Sequence, residues 1–313
     1  MEKLNPLGSQ KANVYIHDQP ESMLSRIVKF ILRVFNWKKS IENSMLTGKF
    51  KADPAPIPKW LSARYDIEDI QIDQRKTWQI NPKEGTNRRV ILFLHGGAYI
   101  YNITGLHWQF ISKLLTKTQI GFVVPDYPLA PLANFQDVYI FIQTVYNQLL
   151  TKFRPEEIIL MGDSAGGGLA LGFAQHLRND NHPLPSQVIL LSPWLDVTMS
   201  HPDIPEVDRK DWVLGIKGLQ LAGKAYAGSE YLEDHRISPI YGDLHDLPKL
   251  AVFIGSHDVL FCDSKKLFQK MQSAQQPINY FEYPKMIHDW MLVTQLKESK
   301  AAIDQVVKLI KAN

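Results

Sequence analysis

A doubly wound α/β fold is predicted by two observations along the chain. From Arg75 onward, short apolar runs alternate with longer amphipathic stretches. Several of the runs are continuous Val/Ile/Leu/Phe, as expected for strands covered on both faces of a parallel sheet. In order, the predicted strands are 76–80 (KTWQI), 89–95 (RVILFLH), 120–127 (IGFVVPDY), 157–163 (EIILMGD), 187–193 (QVILLSP), 250–256 (LAVFIGS) and 278–284 (INYFEYP). Helices are expected between and after them at about 106–117, 135–151, 165–179, 261–275 and 294–311. That alternation implies right-handed crossovers, with ligands at the carboxyl ends of the strands.

Two segments interrupt the rhythm. One runs from residue 1 to about 60 and ends in the proline-rich ADPAPIPKW; the other spans about 199–236. Both are expected to add helices over one end of the sheet and wall a pocket there. The resulting division is an N-terminal helical cap segment at 1–60 and a main domain at 61–313 carrying the insertion. Within the first segment, Leu24, Ile27, Val28, Ile31, Val34 and Phe35 recur at helical spacing, with Arg26, Lys29 and Arg33 on the opposite face. Three readings stay open for this helix at residues 21–40: packing on its own domain, peripheral contact with a membrane or lipid aggregate, or a dimer contact.

Composition bounds the rest. Of the 313 residues, 45% are hydrophobic and 21% charged, an ordinary globular mixture. The net charge of +3 is too small to suggest a nucleic-acid partner. It is unevenly spread, because residues 1–60 hold 10 Lys/Arg against 5 Asp/Glu. One cysteine, Cys262, fits a reducing compartment, and the start of the chain has no apolar h-region, so the cytoplasm is the expected location.

The chemistry centres on Gly162–Gly166, GDSAG, between a predicted strand and a predicted helix. A Gly-x-Ser-x-Gly turn in that setting exposes a serine hydroxyl on a strained backbone. Gly162 and Gly166 relieve crowding, and Gly167 and Gly168 bring the helix close to the sheet. A serine nucleophile needs a base, and the base an orienting carboxylate, in the chain order Ser, acid, His. Asp258 follows one predicted strand and His288 the next, so both project from the same sheet edge as Ser164. Asp263 reads as a helix cap, and Asp289 as a residue too close to His288 in sequence to face it. Anion stabilisation requires fixed N–H donors. Ala165 supplies one at the helix start, and the loop His95-Gly96-Gly97 supplies the other, with His95 shaping that loop.

Taken together, HGGA at 95–98, DYPLAP at 126–131, GDSAGG at 162–167, SPWLD at 192–196, Asp258 and His288 resemble the hormone-sensitive-lipase-like esterases of the α/β-hydrolase superfamily. The resemblance spans about residues 75–300. It implies an α/β-hydrolase fold with a helical cap, nucleophile Ser164, base His288, acid Asp258, and oxyanion donors at Gly97, Ala98 and Ala165. It also implies hydrolysis of short- to medium-chain acyl esters through an acyl-enzyme, with no metal or organic cofactor. Amide deacylation, interfacial lipolysis, and a ligand-binding receptor on the same fold are the competing readings. Two departures stand out: Ala98 where a third glycine is usual, and Leu132 where DYPLAP usually continues with glutamate. The first leaves the donor intact provided that φ at Ala98 is not forced positive.

Overall fold

The computed structural model describes residues 12–50, 53–84 and 88–312. The strands are β1 (Asn13–Ile16), β2 (Tyr65–Ile72), β3 (Arg75–Pro82), β4 (Val90–Leu94), β5 (Gly121–Pro125), β6 (Ile158–Asp163), β7 (Gln187–Leu191), β8 (Lys249–Gly255) and β9 (Ile278–Tyr283). Among the described residues they form one sheet in the order β1-β9-β8-β7-β6-β4-β5-β3-β2. Only the β2–β3 and β3–β5 pairs are antiparallel; all others are parallel. The helices are α1 (Met23–Val34), α2 (Ser40–Thr47), α3 (Lys59–Ser62), α4 (Gly105–Thr118), α5 (Phe135–Leu150), α6 (Ser164–Asn179), α7 (Ile204–Asp208), α8 (Ile216–Ala227), α9 (Phe261–Ser273) and α10 (Lys297–Lys311).

The apolar runs are buried because both sheet faces are covered. Along β4, Val90, Leu92 and Leu94 join the core that includes residues of α5, α6 and α9. The alternating Ile91 and Phe93 join a second core with Trp108 and Phe110 of α4 and Ile303 and Val306 of α10. The strand period of two therefore feeds two separate hydrophobic layers. The seven strands and five helices expected from Arg75 onward are all present, within a few residues of their expected ends.

Two strands are not legible in the sequence. β2, YDIEDIQI, is an edge strand whose acidic residues face solvent. It joins β3 through Asp73 and Gln74, both at positive φ (46° and 63°), a two-residue hairpin turn made without the usual glycine. β1 is four residues long and pairs in parallel with β9, Asn13 opposite Asn279.

β1 places a strand in the segment expected to form a helical cap, and residues 1–11 of that segment lie outside the described residues. α2 packs on α8, and the crossing is close because Gly218 has no side chain: a Cβ there would lie 2.9 Å from the Glu42 nitrogen. Residues from the two irregular segments thus meet over the carboxyl ends of the strands. α1 is pinned differently. Glu298 of α10 accepts from the Ser22 N–H (2.6 Å), the Ser22 hydroxyl (2.9 Å) and the Ser25 hydroxyl (2.9 Å). Among the described residues, no helix is long and apolar enough to cross a membrane.

Candidate active site

The site is assembled from three strand ends. At the first, β6 turns directly into α6 at Ser164, whose φ is +51°, a left-handed conformation that costs a non-glycine residue about 1 kcal/mol or more. A Cβ on Gly162 would fall on the Gly166 carbonyl, and one on Gly166 would fall on the Leu94 carbonyl at the end of β4. The turn is held from outside by the SPWLD segment, where the Trp194 N–H donates to the Ser164 carbonyl at 2.8 Å. Gly168 admits the Trp194 carbonyl against the helix.

At the second and third strand ends lie Asp258, after β8, and His288, after β9. His288 Nδ1 lies 2.9 Å from Asp258 Oδ2, and Nε2 lies 2.9 Å from Ser164 Oγ. All three are buried. With Nδ1–H donating to the carboxylate, neutral His288 turns its Nε2 lone pair toward the Ser164 hydroxyl. The two loops are laced together: His257 N–H donates to the Met286 carbonyl, and Lys285 N–H donates to Ser256 Oγ. A further carboxylate, Asp211 in the 199–236 insertion, accepts from the Val259 N–H at 2.8 Å. The insertion is thereby tied to the loop bearing Asp258. Burial, reinforced by Asp258, raises the pKa of Asp211.

Two expectations about neighbouring carboxylates are corrected. Asp289 does reach His288: its backbone is left-handed (φ 49°, ψ 33°), which folds Oδ2 back to 3.0 Å from Nε2. Asp263 caps nothing. It is buried in the first turn of α9, neither oxygen accepts a hydrogen bond, and burial pushes its pKa up to about 7. The His288 imidazole is raised well above its usual value. Burial opposes the charge, but Asp289 and then Asp258 outweigh it. Asp289 favours an imidazolium whose Nε2–H points at it.

The 95–98 loop lies beside the serine. His95 Nδ1 is 2.8 Å from the Gly96 carbonyl, its ring stacks on Tyr127 at 4.4 Å, and the Tyr127 hydroxyl donates to the His95 carbonyl at 2.5 Å. Burial lowers the His95 pKa to about 4, so the ring is neutral. Gly97 has φ +130°, and a Cβ there would strike the Tyr101 carbonyl. Ala98 also has positive φ, +54°, contrary to the condition set for an intact donor. That condition is misplaced. The Ala98 N–H lies in the peptide plane joined to Gly97, so the glycine's dihedrals aim it, and φ of Ala98 turns only the chain beyond its own Cα. Leu132 is 95% exposed, so no buried group depends on a glutamate at that position.

Sequence reasoning missed the support beneath this loop. Asp163 is fully buried, with Oδ1 accepting from the Gly96 N–H at 3.0 Å and Oδ2 lying 3.1 Å from His107 Nε2. His107 is fixed in turn by the Thr104 N–H at 2.9 Å. Burial disfavours charge on both, but their mutual attraction raises His107 and lowers Asp163. The available signal was an aspartate inside GDSAG directly before the serine.

The cavity over Ser164 has a volume of about 470 Å³ and is walled by Trp37 and Ile41 from the N-terminal segment and by Val213 and Leu214 from the insertion. His288 and Asp289 form part of its floor. Trp108 and Trp194 belong to the core, and Trp212 lies under the Arg33 guanidinium at 5.0 Å. Among the described residues, no group of three or more His, Cys, Asp or Glu side chains could hold a metal.

A serine held on such a sheet, facing an apolar cavity, is the framework of a carboxylesterase- or lipase-type serine hydrolase. The model of the α/β-hydrolase fold matches residues 91–292. An esterase of Acinetobacter venetianus is 31% identical over 223 residues, which cover 70% of this chain and 74% of that one. A solved Staphylococcus aureus structure assigned as an esterase superposes with a TM-score of 0.78 at 31% identity, covering 88% of this chain and 92% of the other. An esterase from the bacterial hormone-sensitive lipase family shares the fold, with a TM-score of 0.80 at 23% identity over 94% of this chain and 99% of its own. The chain belongs to the α/β-hydrolase fold family, as an esterase- or lipase-type member of it.

Proposed function

We propose that this ester hydrolase works through Ser164, His288 and Asp258 on short- to medium-chain acyl esters. The observation that carries the reading is the His288 imidazole, bridging Ser164 and Asp258 at 2.9 Å on each side. His288 takes the serine proton as Oγ attacks the ester carbonyl, and Asp258 orients the ring and stabilises the imidazolium. The N–H groups of Gly97, Ala98 and Ala165 receive the oxyanion. Ala165 is the second residue of α6, where backbone N–H groups have no intrahelical acceptor. Protonated His288 releases the alcohol, and water repeats the sequence on the acyl-enzyme.

A cavity of about 470 Å³ lies low in the range of ligand pockets, about 300–1,000 Å³. This supports small esters over long-chain glycerides held entirely within it. A series of p-nitrophenyl esters should therefore peak in kcat/KM at short to medium acyl length and fall beyond it. A series still rising at sixteen carbons would overturn that assignment. A fluorophosphonate probe tests the nucleophile: peptide mass mapping should find the adduct on Ser164, and a folded protein left unlabelled there sinks the reading. The lone, buried Cys262 supports work in a reducing compartment, the cytoplasm.

The pH profile should carry the signature of Asp289. Only neutral His288 can act as base, so activity rises as pH passes through its raised pKa. Asp289→Asn removes the strongest negative charge holding the proton on the ring and should move the acid limb of kcat/KM to lower pH. An unmoved limb in a full pH–rate profile would remove Asp289 from this role.

A further inference from the structure

α1 carries its apolar residues outward. The side packed on the domain holds Ser25, which is buried, and Val28, Lys29 and Leu32, which are half-buried. On the opposite side Met23, Ile27, Phe30 and Val34 form an exposed stripe at helical spacing, widened by Leu24 and Ile31. Phe30 is 66% exposed and Phe35, at the helix end, 74%. Single exposed apolar residues are ordinary, but a contiguous helical face of them marks an interaction surface. The helix is not loosely held, since Glu298 fixes its first turn and Lys29 pairs with Glu21 on the domain side.

Three features decide what covers this face. Arg26 and Arg33 are exposed along its flank, and Lys39 continues the positive charge past the helix end. The stripe then runs into Trp37, 54% exposed, which lines the cavity holding Ser164. Finally, residues 1–60 hold twice as many basic as acidic residues, 10 against 5. A second copy seated here through a two-fold axis would bring like-charged segments together. An anionic bilayer offers both the apolar phase for the stripe and the negative headgroups for the arginines, a pairing that binds amphipathic helices in the interface plane. We propose that α1 docks this hydrolase on anionic lipid surfaces, with the cavity mouth at Trp37 turned toward the bilayer, so that esters dissolved in the lipid enter without crossing water. The proposal rests on the ester-hydrolase reading and names the phase from which that site draws its substrate.

The test uses the full chain and its Ile27→Glu/Phe30→Glu/Ile31→Glu variant, whose substitutions lie on the exposed face away from the cavity. Each is sedimented with vesicles of 30% phosphatidylglycerol in phosphatidylcholine and with pure phosphatidylcholine, and each is assayed on soluble p-nitrophenyl butyrate. The wild type should partition onto the anionic vesicles at least tenfold more than onto the neutral ones. The variant should lose that binding at least tenfold while keeping its soluble-ester rate. Absent wild-type binding, or binding that the variant retains, overturns the proposal. So does a concentration-dependent dimer in analytical ultracentrifugation that the variant abolishes without any vesicle effect. A soluble-ester rate absent from both proteins would instead overturn the ester reading, and vesicle binding would still decide the docking.

Discussion

Ser164→Ala is expected to lower kcat on p-nitrophenyl butyrate by about 10⁶-fold, the scale found when one member of a cooperating serine–histidine unit is removed elsewhere. The loss is this large because nucleophile and base act as a unit: without Oγ, His288 has no proton to take. The residual rate would come from binding and the N–H groups alone. Stability should hardly change. Alanine keeps the Cβ that serine already carries at φ +51°, so the turn is no more strained than before. Nor is a partner stranded, since His288 Nε2 still has Asp289 Oδ2 at 3.0 Å. Steady-state kinetics together with a thermal melt separate these effects. A variant that melts far below the parent would show that the hydroxyl serves the fold, and one with more than a hundredth of the parent rate would exclude Ser164 as nucleophile.

Gly166→Ala should fail in the opposite manner, through structure first. Its new Cβ would lie 2.0 Å from the Leu94 carbonyl oxygen and 2.6 Å from that of His95. Both are main-chain atoms at the end of a fully buried strand, so no side chain can swing away. Either α6 lifts from the sheet or the peptide at 94–95 shifts. Strain against a packed core costs about 3 kcal/mol, and more where backbone must move. For a chain of this size that corresponds to a Tm lowered by roughly 4–6 °C. The shift would also carry the 95–98 loop away from the serine. Losing one well-placed oxyanion donor costs about 10²–10³ in kcat, so a comparable fall should persist at temperatures where the variant is still folded. A melt within 2 °C of the parent and an unchanged kcat would show that the helix has slack against β4.

Legibility in the sequence depends on which residues report their surroundings locally. Buried strands such as VILFL and IILMG are apolar because both faces are covered, and the composition announces that directly. Ser164, Asp258 and His288 are readable because fold geometry fixes their order and their places after strands. β2 is hidden because an edge strand keeps its acidic residues in water and turns on Asp73-Gln74 rather than on glycine. Asp163 and His107 are hidden because a buried ion pair between strand end and helix leaves no periodic trace. Asp289 is misjudged from sequence because adjacency says nothing about a left-handed backbone. The outward face of α1 is undecidable there, since the same amphipathic spacing serves a helix facing in or out. The contacts of Ser22 and Ser25 with Glu298, and the packing of Val28 and Leu32 on the core, fix which side is turned to the domain.

The pairing of β1 with β9 bears on how the chain is made. Asn13 and Asn279 are 266 positions apart. Closing a loop of that length costs about 5 kcal/mol in chain entropy before any contact forms. A four-residue strand cannot offset this alone, so β1 must dock onto a sheet that already stands. β9 follows β8 along the chain, so during synthesis the edge of β8 waits for β9, and the edge of β9 for β1 to return to it. An open edge of parallel sheet is a template for pairing with another nascent chain. β1 therefore docks late, and because it is itself the outermost strand it leaves a four-residue edge in place of the six-residue edge of β9.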